Sequence, residues 1–156
     1  MTRKRRVLIA ILIILVLIQF IRPEKNTGST DSPNDITHAV NVSPEIKGIL
    51  ETSCYDCHSN HTEYPWYSNI QPVAGWLAHH VNEGKDELNF SEFNTYKLRR
   101  KKHKLEEMIE QVNEGEMPMN SYLIMHKNAE LTPLQKTALL NWAAESIRIL
   151  QDTLKK

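Results

Sequence analysis

The hydrophobic pattern divides the chain into three stretches. Residues 7–21 read VLIAILIILVLIQFI, apolar at every position except Gln19, and such uniform apolarity lacks the polar stripe of a globular surface helix. Residues 23–42 show no apolar period and are rich in Ser, Thr, Asn, Asp and Pro, the composition of a flexible polar tether. From residue 43 onward, apolar positions recur at helical spacing.

Ser43-Pro44 supplies an N-cap and a proline at the first helical position, and Ile46, Ile49, Leu50 and Cys54 follow on one face. Pro72 opens a second helix with Val73, Trp76, Leu77, His80 and Val81 on its apolar side, and Gly84 is its expected stop. Asn89-Phe90-Ser91 reads as a turn into a third helix, with Ser91 as cap. Leu105, Met108, Ile109 and Val112 give that helix its stripe and Gly115 its end. After an irregular stretch over residues 116–130, Thr132-Pro133 starts a last helix with Leu139, Trp142, Ala143, Ile147 and Leu150 inward. No segment alternates with period two. The expected organisation is an anchor over residues 1–22, a linker over 23–42 and an all-α domain over 43–152.

Arg3, Lys4, Arg5 and Arg6 precede the apolar run and Arg22-Pro23 closes it. Basic residues before an apolar run form an export signal whose basic end stays cytoplasmic. A run of about 15 residues makes a helix of roughly 22 Å, shorter than the ~20 residues usual for a span, although flanking arginines can snorkel to the headgroups. No small-x-small cleavage pattern follows. An uncleaved, single-pass signal anchor in a bacterial cytoplasmic membrane is therefore expected, with the domain facing the periplasm. The formal net charge of zero hides an asymmetry. Five of the 19 basic residues precede Glu24 and all 19 acids follow Arg22, which leaves the exported part at −5. That balance gives no support to nucleic-acid binding. The basic run over residues 97–104 could dock an acidic partner or anionic lipid, or serve as a solvated helix face.

Cys54-Tyr55-Asp56-Cys57-His58 is C-x-x-C-H, the spacing of covalent c-type haem attachment. Two cysteines three positions apart can each form a thioether to one porphyrin, and the following histidine can act as proximal ligand. These are the chain's two cysteines. A zinc site would need another ligand, such as His61 or a distant histidine, and a redox C-x-x-C would need a βαβ context. Tyr64, Pro65, Trp66 and Tyr67 could cover a haem edge or simply pack as a loop.

C-x-x-C-H after a short helix, then Gly115-Glu116-Met117-Pro118, then a closing amphipathic helix, resembles a class I-type cytochrome c. The stretches 115–118, Tyr122 to His126 and Leu131-Thr132-Pro133, with Trp142 in the last helix, look more specifically like the small haem-binding domain family of exported bacterial proteins. The resemblance implies one haem c, with Cys54 and Cys57 as its thioethers, His58 as proximal ligand and Met117 as distal ligand. A residue before proline is held out of the α region, which suits presentation of a thioether. His126 and His80 are rival distal ligands, with Met119 and Met125 close by in sequence. Met/His ligation raises the reduction potential, so the implied function is single-electron transfer to a redox protein partner. The alternative is a peroxidase-like enzyme or haem-based sensor with an open distal site served by His79, His80 or His126.

Overall fold

The computed structural model describes residues 2–154, so residue 1 of the expected anchor lies outside the described part. The described residues form seven α-helices: α1 (Arg3–Leu17), α2 (Pro44–Ser53), α3 (Tyr55–His58), α4 (Val73–Glu87), α5 (Leu98–Glu114), α6 (Asn120–Leu123) and α7 (Pro133–Leu154). No strand forms among them, and one isolated bridge pairs Thr27 with His61. The described residues are all-helical, as the periodicity implies.

The local start signals act as their chemistry predicts. Ser43 Oγ accepts from Ile46 N–H at 3.3 Å to begin α2. At α7 the cap is reciprocal: Thr132 Oγ1 accepts from Gln135 N–H at 3.2 Å, and Gln135 Oε1 accepts from Thr132 N–H at 3.0 Å. Gly115 ends α5 in the left-handed conformation, φ 78°, which glycine adopts without a Cβ penalty. The stripe of α5 (Leu105, Met108, Val112) packs along α7 at Leu139 and Ala143, and Ile46, Ile49 and Leu50 of α2 join them. Phe90 and Phe93 complete this core.

Two boundaries differ from the sequence pattern. Helix α4 runs through Gly84 to Glu87, because Gly84 is the place where α4 meets α3 closely rather than a stop. Ser91 is not a cap. Asn89 accepts from Ser91 N–H at 3.0 Å and starts the 3₁₀ helix Phe90–Thr95 instead.

Residues 23–42 are not a detached tether. Asn26 donates to Ser59 O and Thr62 Oγ1, both at 2.9 Å, and Gly28 N–H donates to Asn60 O at 2.8 Å. Asn94 N–H reaches Asn34 O at 2.8 Å, and Ile36 and Val40 are buried in the core. The polar residues that suggested solvent instead satisfy backbone groups of the loop after α3. Ile36→Ala is accordingly expected to lower unfolding stability by about 2–5 kcal/mol, read from chemical denaturation; a solvated tether would show no change.

Helix α1 presents its apolar side chains outward. Its first four residues are the basic Arg3, Lys4, Arg5 and Arg6, and a 3₁₀ turn, Ile18–Phe20, follows it. Among the described residues no helix is long and apolar enough to cross a membrane.

Candidate functional site

The C-x-x-C-H motif forms one tight turn at the end of α2. Cys54 N–H donates to Leu50 O at 2.9 Å, and the N–H groups of Cys57 and His58 both reach Cys54 O, at 3.2 and 3.0 Å. One carbonyl thus gathers both cysteines and the histidine. The thiols are free. Burial, with Cys57 adding repulsion, pushes the Cys54 thiol up to about 12. Burial and Asp56 push Cys57 up to about 11. Both are therefore neutral at pH 7, unlike the low-pKa thiolates of redox C-x-x-C motifs.

His58 Nδ1–H donates to Leu88 O at 2.9 Å. A carbonyl only accepts, so this bond fixes the tautomer and leaves Nε2 with a bare lone pair, the arrangement of a metal-ligating histidine. Burial holds the imidazole pKa below its usual value, against smaller opposing contributions from backbone carbonyls and Glu87. The ring is neutral at pH 7, as a ligand must be. Phe90 packs against it edge-on at 6.2 Å and stacks on Tyr55 at 5.4 Å.

Two adjoining cavities of about 370 and 410 Å³ open beside this turn, within the size range of small-molecule and cofactor sites. Both are lined by Cys54, His58, Met117 and Pro118. The first extends over Leu88, Phe90, Met108, Val112 and Leu131; the second adds Cys57, His80, Met119 and Tyr122. Two free thiols, a neutral imidazole with an open nitrogen, a thioether and an apolar wall therefore share one groove. That donor set fits a haem. Acids crowd the rim: Glu83, Asp86, Glu87, Glu107 and Glu110 accompany one lysine, Lys104, which bridges Glu87 at 3.0 Å and Glu107 at 2.7 Å.

The fold separates the sequence's rival ligands. His80 lines the groove; its Nδ1–H donates to Trp76 O at 2.9 Å, so its Nε2 is also open. Met119 lines the same lobe. His126 and Met125 instead line a different cavity beyond α3. There the His126 ring stacks on Tyr122 at 4.2 Å and shares a 2.8 Å hydrogen bond with Tyr67. His79 pairs with Glu83 at 3.2 Å. His61 Nδ1–H donates to Gly28 O at 3.0 Å. Among the described residues no group of three or more His, Cys, Asp or Glu side chains is placed to hold a metal ion. Within the basic run over 97–104, Lys102 pairs with Glu106 at 2.6 Å and Lys104 with Glu107 at 2.7 Å, while Lys101 donates to Asn94 and Arg100 lies over the Tyr96 ring.

Three participants escaped the sequence reading. The carbonyl of Leu88 orients His58, Asp56 accepts a 2.6 Å bond from Tyr122, and Tyr55 donates to Asp35 at 3.1 Å. The last two lie inside the motif at its x positions, which the spacing leaves unspecified.

A family model described as a haem-binding domain matches residues 13–145. No curated protein and no solved structure matches the chain.

Proposed function

The chain belongs to the haem-binding domain family, and from that premise we propose that it is a membrane-anchored, periplasm-facing monohaem c-type cytochrome that transfers single electrons. One observation carries the reading: His58, whose Nδ1 is taken by Leu88 O so that Nε2 is left free, lines a groove together with Cys54, Cys57 and Met117. Cys54 and Cys57 would hold the porphyrin as thioethers, His58 would ligate iron through Nε2, and Met117 would supply the second axial ligand. When bound, haem supplies one-electron chemistry at its iron. The residues around it tune and orient. Leu88 O keeps the imidazole turned and burial keeps it neutral, the apolar wall excludes water, and Met117 in place of a second histidine would raise the potential. The acidic rim favours a redox partner with a basic face, by charge complementarity at the approach to the groove. Helix α1 attaches the domain to the membrane.

His80 is the rival second ligand, because it lines the same lobe and its Nδ1 bond to Trp76 O leaves Nε2 free. Absorption and magnetic circular dichroism of the haem-loaded chain decide between them. A thioether charge-transfer band near ~700 nm is expected in the wild type and absent in Met117→Ala. A band absent from both proteins, with a bis-histidine spectrum that Met117→Ala leaves intact and His80→Ala removes, would give the ligand role to His80. High-spin iron in the wild type would favour the peroxidase-like or sensor reading.

A further inference from the structure

We infer that the domain itself rests on the lipid surface through Trp66, Ile70, Val73 and Trp76, at the level where α1 leaves the bilayer. This rests on the reading of α1 as a membrane anchor. The foot of α1 is fastened to the domain at one place. Gln71 N–H donates to Gln19 Oε1 at 3.0 Å, Gln19 Nε2 donates to Gln71 O at 3.1 Å, and Gln71 Nε2 reaches Ile21 O at 2.8 Å. The Arg22 guanidinium donates to Asn69 O and the Lys25 ammonium to Asn69 Oδ1 at 2.9 Å. Residues 69–71 therefore travel with the end of the apolar run.

Around that joint large apolar side chains stand uncovered, with the carboxylates of Glu24 and Glu63 among them. Phe20 and Trp66 are 81% and 73% exposed, and Ile21, Ile70, Val73 and Trp76 are exposed with them. Trp66, Val73 and Trp76 line one cavity of about 290 Å³ with Met125. Scattered exposed apolar residues are ordinary, whereas a contiguous patch marks a contact surface.

Length and charge favour lipid as the occupant. Helix α1 has 15 residues, roughly 22 Å of rise against a hydrocarbon core of ~30 Å. A short span draws its flanks into the interface, and here the flank is bonded to the tryptophan patch. Tryptophan is the residue enriched at the headgroup level, and Arg22 and Lys25 stand beside the patch where anionic headgroups would meet them.

The test places the full haem-loaded chain in vesicles of phosphatidylethanolamine and phosphatidylglycerol doped with two phospholipids, one carrying a diazirine at its headgroup to report on residues 66–76 and one carrying it in the acyl chain to report on residues 7–21, and maps adducts by mass spectrometry. Adducts are expected over residues 66–76 as well as 7–21, and not over α5. In Trp66→Glu/Val73→Glu the 66–76 adducts are expected to vanish while those at 7–21 persist; adducts undiminished in that variant would count against a lipid contact. Adducts confined to 7–21 in the wild type would leave the anchor standing and overturn the inference. Adducts at neither segment would overturn both. A patch shielded equally in vesicles and detergent, with the chain sedimenting as a dimer, would assign it to a second copy.

Discussion

A Cys54→Ser/Cys57→Ser double variant is expected to release all its haem on acid–acetone extraction, whereas the wild-type chain keeps a covalent mass increment of one haem. The thiols are free, neutral and on the groove that His58 lines, and a serine hydroxyl forms no thioether. What remains in the variant is His58, Met117 and an apolar wall, which can bind haem reversibly. Each single variant is expected to keep one link and survive extraction. Cys54 also packs against the core, and an unpaired hydroxyl there costs about 1–3 kcal/mol. Melting of the haem-free variant must therefore be measured beside extraction. A folded double variant that still carries covalent haem would remove the cysteines from the site, and a wild type that loses haem in acid would remove covalent attachment altogether.

What the sequence made legible was whatever acts locally. The stripe Leu105, Met108, Val112 and the Thr132–Gln135 cap are settled within a few residues of chain, so pattern and propensity reach them. The C-x-x-C-H turn is equally local, since Cys54 O organises its own next four residues. Crossings were hidden. His58 is oriented by a backbone carbonyl 30 residues away, and a carbonyl has no side-chain signature. Residues 23–42 looked solvated because Asn26 and Asn34 are polar, yet their hydrogen bonds are made to the chain itself. Sequence distance also could not rank His80, Met119, Met125 and His126. The fold places His80 and Met119 on the groove that His58 lines, and stacks His126 on Tyr122 and bonds it to Tyr67 in another cavity.

Two glycine-to-alanine substitutions are expected to move stability in opposite directions. Gly48 and Gly84 both lie inside helices, α2 and α4, where alanine is favoured over glycine by about 1 kcal/mol. A Cβ at Gly48 meets nothing within 4 Å, so Gly48→Ala is expected to gain about that amount. At Gly84 a Cβ would sit 2.8 Å from Cys57 O and 3.1 Å from Cys57 Cβ. The obstacle is backbone, and the α3 turn that carries it is held by the Cys54 carbonyl and the His58–Leu88 bond. It cannot step aside as a flexible side chain could. Overpacking of this kind costs about 1–3 kcal/mol, which outweighs the propensity gain at the upper end of that range and grows with side-chain size. Gly84→Val is therefore the decisive variant. It is expected to melt several degrees lower, since 1 kcal/mol shifts the midpoint by about 2–4 °C at this chain length. It is also expected to perturb the haem absorption, because α4 leads directly into the Leu88 carbonyl that orients His58. A Gly84→Val protein with unchanged melting and spectrum would show that the α3–α4 contact does not position the ligand.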